Sequence, residues 1–164
     1  MRTTHQEFGG RVVILDSSSA ASHATHVGGT MIAAGVDAAA KGMSYQALLR
    51  SYNWNSDTSE MSTEANNGLR ISNHSYGTVT GWTQNGSTWY WYGDRSHTED
   101  ANFGFYTSSA RTWDLLAVNR PYYLAFKSAG NDRGDGPNNQ PITHKEWNGS
   151  AWIDVTNIRP KDGG

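Results

Sequence analysis

Cysteine is absent from the 164 residues, which excludes disulfides and thiolate chemistry but leaves the compartment open. Charged residues are scarce, 17% of the chain, and the formal net charge is −2. No basic block or stripe occurs, so no nucleic-acid partner is expected. No apolar run approaches the length of a membrane span, and no leader-like pattern opens the chain, so no membrane partner is expected either. What fills the space is 18 glycines, seven tryptophans and eight tyrosines. That mixture suits a turn-rich extracellular style. The length suits a single monomeric domain with a real core.

Short apolar stretches alternate with helical ones. Arg11 to Leu15 reads as a buried strand. A helix follows from about His23 to Ala34, with Gly35 as its C-cap. Ala47 to Tyr52 reads as the next strand. Asp57 and Glu60 form a D-x-x-E start close to a capping box, and Met61, Ala65 and Leu69 recur at helical spacing over 58–69. Ile71 to Tyr76 returns as a strand. Residues 78–106 break the rhythm as an aromatic-rich insertion, with a turn signal at Asn85-Gly86. Trp113, Leu116 and Ala117 mark another helix, and Tyr122 to Phe126 another buried strand. The segment 136–164 reads as irregular, with a short hairpin around Trp147 to Trp152. This order implies an α/β fold: a parallel sheet, joined by right-handed crossovers, with helices on both faces.

Three segments carry chemistry. Ser22-His23-Ala24-Thr25-His26-Val27-Gly28-Gly29-Thr30 places an imidazole at the mouth of a helix whose next turns are small. Such a helix sits close to a sheet and aims its histidine well, and histidine is the usual general base near neutral pH. His23 and His26 lack the third ligand and glutamate spacing of a metal motif, so no metal is expected on them. Ser72-Asn73-His74-Ser75-Tyr76-Gly77 ends a strand, and Ser128-Ala129-Gly130-Asn131 follows another. Active sites of open parallel sheets gather at the carboxyl ends of strands, where these segments fall.

In this order the segments resemble the motifs of subtilisin-like serine proteases, the subtilases. The first resembles H-G-T-H-V-A-G-T, with His23 in the general-base position and His26 in that of the second, structural histidine. Ala24 stands where glycine is usual and Gly28 where alanine is usual. Both keep the side chain small, and Ala24 requires a backbone that avoids positive φ. Ser75-Tyr76-Gly77 resembles the S-x-G segment that pairs with an extended polypeptide substrate as an added strand. Asn131 resembles the asparagine of A-G-N, whose side chain donates to the oxyanion. Gly42-Met43, residues 99–106 and the Trp113-Asp114 helix resemble secreted bacterial subtilases, particularly those of Bacteroidetes. The resemblance covers residues 5–135 and implies a partial three-layer subtilisin-like fold.

Two triad members have no match. The nucleophile's G-T-S-M-A segment does not occur. The family's acid precedes a segment like His5-Gln6-Glu7-Phe8, which aligns it just upstream of Met1 and makes Met1 an internal methionine taken as a start. Asp16, ending V-V-I-L-D, is the rival acid, but it lies too near His23 to leave room for the family's intervening strand, which disfavours it. Serines 17 to 19 and Ser22 read as loop and N-cap residues.

The expected identity is therefore an incomplete subtilase catalytic domain: a serine endopeptidase by lineage, inactive as this chain, from a protein that works outside the cell. The alternative is a peptide- or carbohydrate-binding module on a degenerate subtilase fold. The aromatics Trp82, Trp89, Tyr90, Trp91 and Tyr92 would then bind sugars, though they more readily build a local mini-core. No cofactor is expected, with structural calcium as an option in the loop Asp132 to Asn139.

Overall fold

The computed structural model describes residues 1–16 and 19–162, so the expectation for Ser17 and Ser18 lies outside the described residues. The chain divides into two compact units, Met1–Leu69 and Arg70–Gly164.

The first unit runs β1 (Val12–Ile14), α1 (Ser22–Ile32), a short 3-10 turn, β2 (Leu49–Ser51) and α2 (Asp57–Asn66). β1 and β2 pair in parallel, Val12 opposite Leu49. Phe8, Val12, Ile32 and Met1 form the buried core, with Ala24, Met31 and Leu49 packed against it. The small residues of α1 permit this approach. A Cβ on Gly28 would lie 2.3 Å from the Met1 Cε and 3.2 Å from the Leu49 Cδ2. Ala24 sits inside the helix, and among the described non-glycine residues only Ser56 has positive φ, so its methyl is accommodated as expected.

Both helices differ from expectation at their ends. The N-cap of α1 is Ala21, with no side-chain cap; Ser22 is the first helical residue. Thr25 donates to Ala21 O through both its N–H (3.1 Å), the first bond of the helix, and its hydroxyl (2.9 Å). Gly35 is not the C-cap, which is Ala33. It lies two residues on at φ +84°, where its N–H meets the Glu7 carboxylate at 2.7 Å. In α2, Asp57 is the first helical residue rather than the cap, and its Oδ1 accepts from the next amide. The helix stops at Asn66 instead of Leu69, because Gly68 at φ +96° turns the chain so that Leu69 N–H returns to Glu64 O, a glycine-terminated helix end.

The second unit runs β3 (Ile71–His74), β4 (Trp82–Asn85), β5 (Thr88–Trp91), α3 (Ser108–Asn119), β6 (Leu124–Lys127), β7 (Ile142–Trp147) and β8 (Trp152–Asn157). β3 and β6 pair in parallel, Ile71 opposite Leu124 and His74 opposite Lys127. Burial of these strands is one-sided. Ile71, Leu124 and Phe126 are each more than half exposed, whereas His74 is buried with its ring 4.8 Å from that of Trp113 on α3. β6 is therefore not the buried strand expected of its composition. Val13 on β1 is likewise half exposed.

The remaining strands form one sheet in the order β4-β5-β7-β8. The insertion supplies the first hairpin and the segment expected to be irregular supplies the second; β5 and β7 join them in parallel through Tyr90–Lys145 and Trp91–Glu146. The first turn is centred on Gly86-Ser87, one residue later than the Asn-Gly signal, since Asn85 pairs with Thr88. Gly86 has φ +60° and Ser87 does not, as in a type II′ hairpin turn. The second hairpin turns at Asn148, whose Oδ1 accepts from the amides of Ser150 and Ala151, both at 2.9 Å.

Trp82 and Trp91 are fully buried and meet edge to face at 5.4 Å, so the aromatic stretch builds a mini-core. His144, Glu146 and Arg159 share that interior. Glu146 accepts from Arg159 Nε at 2.9 Å, Arg95 Nε at 3.1 Å and Asn157 Nδ2 at 3.1 Å. Burial pushes its carboxyl up, but the hydrogen bonds of Arg159, Asn157 and His144 outweigh this and bring it down to about 2.

Candidate active site

The two segments of the second unit emerge side by side. Ser75–Gly77 continues β3 and Ser128–Asn131 continues β6, and Ser128 N–H donates to His74 O at 3.1 Å, just past the last paired residues. The adjacency follows from parallel pairing, which puts both carboxyl ends at one edge. Gly130 has φ +89°, the conformation that glycine adopts without strain, and the turn it makes presents Asn131 exposed. A Cβ on Gly77 would meet nothing within 4 Å, so the space beside that residue is open.

Beneath this edge lies a polar network. Ser72, His74 and Tyr76 alternate along the chain, so their side chains share one face. Ser72 Oγ is 2.6 Å from His74 Nε2, and His74 Nδ1 is 2.7 Å from the Tyr76 hydroxyl. Tyr123, the residue before β6, donates its hydroxyl to Ser72 Oγ. The serine–histidine distance is that of a nucleophile and its base, but Ser72 is engaged on both sides, by His74 and by Tyr123, and His74 is bonded in turn to Tyr76. What the network does is fix the Tyr76 ring and, with it, the course of Ser75–Gly77. Asn73 Nδ2 adds a bond to Ser75 Oγ at 2.8 Å. Composition hid this network, because an inward face made of Ser, His and Tyr does not look apolar. The period-two recurrence of hydrogen-bonding side chains was its only signal.

In the first unit, His23 is the second residue of α1 and is exposed, as is His26. A cleft of about 850 Å³ runs along the same helix, lined by His5, Thr25, His26 and Met43 among others, but not by His23. Asp16 Oδ2 accepts from Asn53 N–H at 2.7 Å, which ties the end of β1 to the chain after β2. The Glu60 carboxyl is pushed up by burial and by the charges of Asp16 and Asp57. Asp16 thus belongs to an acidic group at the start of α2.

Other sites that sequence reasoning missed hold the loops. Glu7, buried, accepts from three successive amides, those of Gly35, Val36 and Asp37, at 2.7 to 3.0 Å. Its carboxyl is lowered, chiefly by the Asp37 amide. This is an anion in a nest of backbone N–H groups. Asp100, in the 99–106 segment, accepts Gly81 N–H at 2.8 Å at the start of β4, and Tyr106 donates to Asp114 of α3 at 2.6 Å. Asp162 accepts Trp82 N–H at 2.7 Å; burial, with Asp135, Asp132 and Asp100 nearby, pushes its carboxyl up to about 6. Among the described residues, no three His, Asp or Glu side chains converge as a metal site, the loop Asp132 to Asn139 included. Among them, too, no helix is long and apolar enough to cross a membrane.

A family model described as the subtilase family matches residues 15–161, nearly the whole chain.

The chain belongs to the subtilase family.

No curated protein and no solved structure matches it. The mixed α/β arrangement, with parallel strand pairs and helices between them, fits part of a subtilase fold. The lineage is that of serine peptidases. The family match includes α1 with His23 and His26, the edge Ser75–Gly77 and Asn131. It also includes the four-stranded aromatic sheet, which composition had set apart as an insertion and an irregular end.

Proposed function

We propose that these residues serve peptide-bond hydrolysis by acyl transfer in a secreted endopeptidase. In that chemistry His23 takes the proton from a serine nucleophile and returns it to the leaving amine. A carboxylate holds the imidazole's tautomer, and Asn131 donates to the oxyanion of the tetrahedral intermediate. This is the scheme worked out on subtilisin itself. The observation that carries the reading is the adjacency of Ser75–Gly77 and Ser128–Asn131 at the ends of β3 and β6. His74 O faces β6, and so does Tyr76 O, which Lys127 reaches. Continued in extended form, the chain turns the backbone groups of Ser75 and Gly77 to the opposite edge, where an added strand would pair.

The sequence contains no Gly-Thr-Ser segment. The purified 164-residue chain is therefore expected to bind extended peptides without cleaving them. Incubation with a fluorogenic peptide and with a fluorophosphonate probe should give neither turnover nor a serine adduct. Peptide binding, followed by fluorescence anisotropy, should fall about tenfold in Gly77→Pro, which removes an amide donor from the pairing edge. Serine-dependent turnover would refute the inactive reading, and absence of any peptide binding would refute the edge. The glycan alternative retains one observation. Trp147 and Tyr92 are exposed on the outer face of the four-stranded sheet, their rings close to Trp152. A glycan array tests it directly.

A further inference from the structure

We propose that Asn85-Gly86, at the tip of the β4–β5 hairpin, is a site of spontaneous succinimide formation, which converts Asn85 to aspartate and isoaspartate. The site does not depend on the peptide reading above.

Asparagine is among the heat-labile residues, and a glycine after it removes the Cβ that would crowd ring closure. The chain holds three Asn-Gly pairs, Asn67-Gly68, Asn85-Gly86 and Asn148-Gly149. All three are exposed, so access to water does not separate them; their hydrogen bonds do. Ring closure needs a free glycine nitrogen as nucleophile and an asparagine side chain able to turn its Cγ toward it. At Asn67 the nucleophile is held. Gly68 N–H donates to Ala65 O at 3.2 Å in the turn that ends α2. At Asn148 the side chain is held. Its Oδ1 accepts from the Ser150 amide at 2.9 Å, the Ser150 hydroxyl at 3.0 Å and the Ala151 amide at 2.9 Å. At Asn85 neither is held: among the described residues, no hydrogen bond engages the Asn85 side chain or the Gly86 N–H. A Cβ on Gly86 would meet nothing within 4 Å, so the forming ring has room. What holds Asn85 is the backbone pairing with Thr88, the last rung of a hairpin whose β4 is an edge strand. Such a rung opens at low cost.

In the step itself the Gly86 nitrogen attacks Asn85 Cγ. A C–N bond forms, the bond from Cγ to Nδ2 breaks, and the Gly86 amide proton leaves with Nδ2 as ammonia. Water then opens the ring. Addition at Cγ gives aspartate. Addition at the main-chain carbonyl carbon gives isoaspartate, whose backbone runs through Cβ and is longer by one methylene. Either product adds a negative charge to a chain whose formal net charge is −2. Isoaspartate also disturbs the hairpin, because a two-residue turn sets the register of its strands.

The test incubates the full 164-residue chain at mildly alkaline pH, with and without urea. Peptide mapping by mass spectrometry then follows each Asn-Gly pair through the mass gain of an amide becoming an acid. In urea the three pairs should convert at similar rates, since no folded contact distinguishes them. In the folded chain Asn85 should convert about tenfold faster than Asn67 or Asn148, the factor that one or two retained hydrogen bonds supply. Asn85→Gln, whose ring would need a further carbon, should remove the first acidic species that ion exchange resolves. Folded-chain rates that are equal for the three pairs, or that rank Asn67 or Asn148 first, overturn the proposal. Conversion confined to the urea sample also overturns it, because the hairpin tip then protects Asn85 as well. A lead of the same size in urea would assign the preference to neighbouring residues and overturn the hydrogen-bond account.

Discussion

Around α1 the core cluster is hydrocarbon, Phe8, Ile32, Val12 and Met1, and the buried Glu7 of the same unit is met by backbone amides. Under the four-stranded sheet the interior is Trp82 and Trp91 beside a fully buried Glu146 and a nearly buried Arg159. The two regions are held by different physics. Apolar burial is non-directional and degrades gradually as methyl groups are removed. A buried charge network depends on every partner, because each one left behind is a desolvated ion. The first region therefore tolerates conservative change, and the second fixes its register at the cost of tolerating little.

That contrast can be broken in three places. The largest effect is expected from Glu146→Ala, which strands Arg159. It should cost about 3–5 kcal/mol in urea unfolding followed by tryptophan fluorescence. A cost under about 1 kcal/mol would mean that water already reaches the network. The unaltered Glu146, with its pKa lowered to about 2 from 4.5, contributes stability above the ordinary carboxylate range that is lost as pH falls from about 4.5 toward 2. Asp162 has the opposite sign. Its carboxyl is raised to about 6 from 3.8, so the folded chain holds that proton more tightly and stability declines as pH rises between those values. Asp162→Asn keeps an acceptor for Trp82 N–H. It should stabilise by up to about 3 kcal/mol at pH 7 and by well under about 1 kcal/mol at pH 4, measured as Tm at the two pH values. Equal shifts at both would deny that the charge is the cause. The smallest effect is expected in the apolar region, where Ile32→Val should cost about 1 kcal/mol by the same urea assay. A loss as large as that of Glu146→Ala would erase the distinction.

Sequence reading located most of the local structure. β1, α1, β2, α2, β3, α3 and β6 all form within a few residues of where periodicity placed them, and both hairpins exist. Local signals misplaced ends where a single glycine decided them, as Gly68 does for α2. What the sequence did not reveal is long-range. Nothing in the spacing around Tyr90 announces Lys145 as its partner, because pairing between hairpins is settled by shape and by a shared core. The segment after Asn131 is polar, and its inward face is His144 and Glu146, so it carried no apolar alternation to mark it as buried. The motif residues were legible at the candidate site, and the pairing of β3 with β6 explains why two of the motifs lie together. The Ser72–His74–Tyr76 network and the Glu7 nest were not, since both are polar and the nest joins a loop to amides far along the chain.

The parallel join between β5 and β7 also sets an order of events during synthesis. Thr88–Trp91 leaves the ribosome well before Ile142–Trp147 exists to cover it. In the interval the hairpin carries a bare strand edge and two tryptophans that end up fully enclosed. Two-stranded hairpins are marginal alone, and contacts between distant segments form slowly. The aromatic sheet should thus be the late-forming part of the nascent chain and the part that most needs shelter from other chains while it waits.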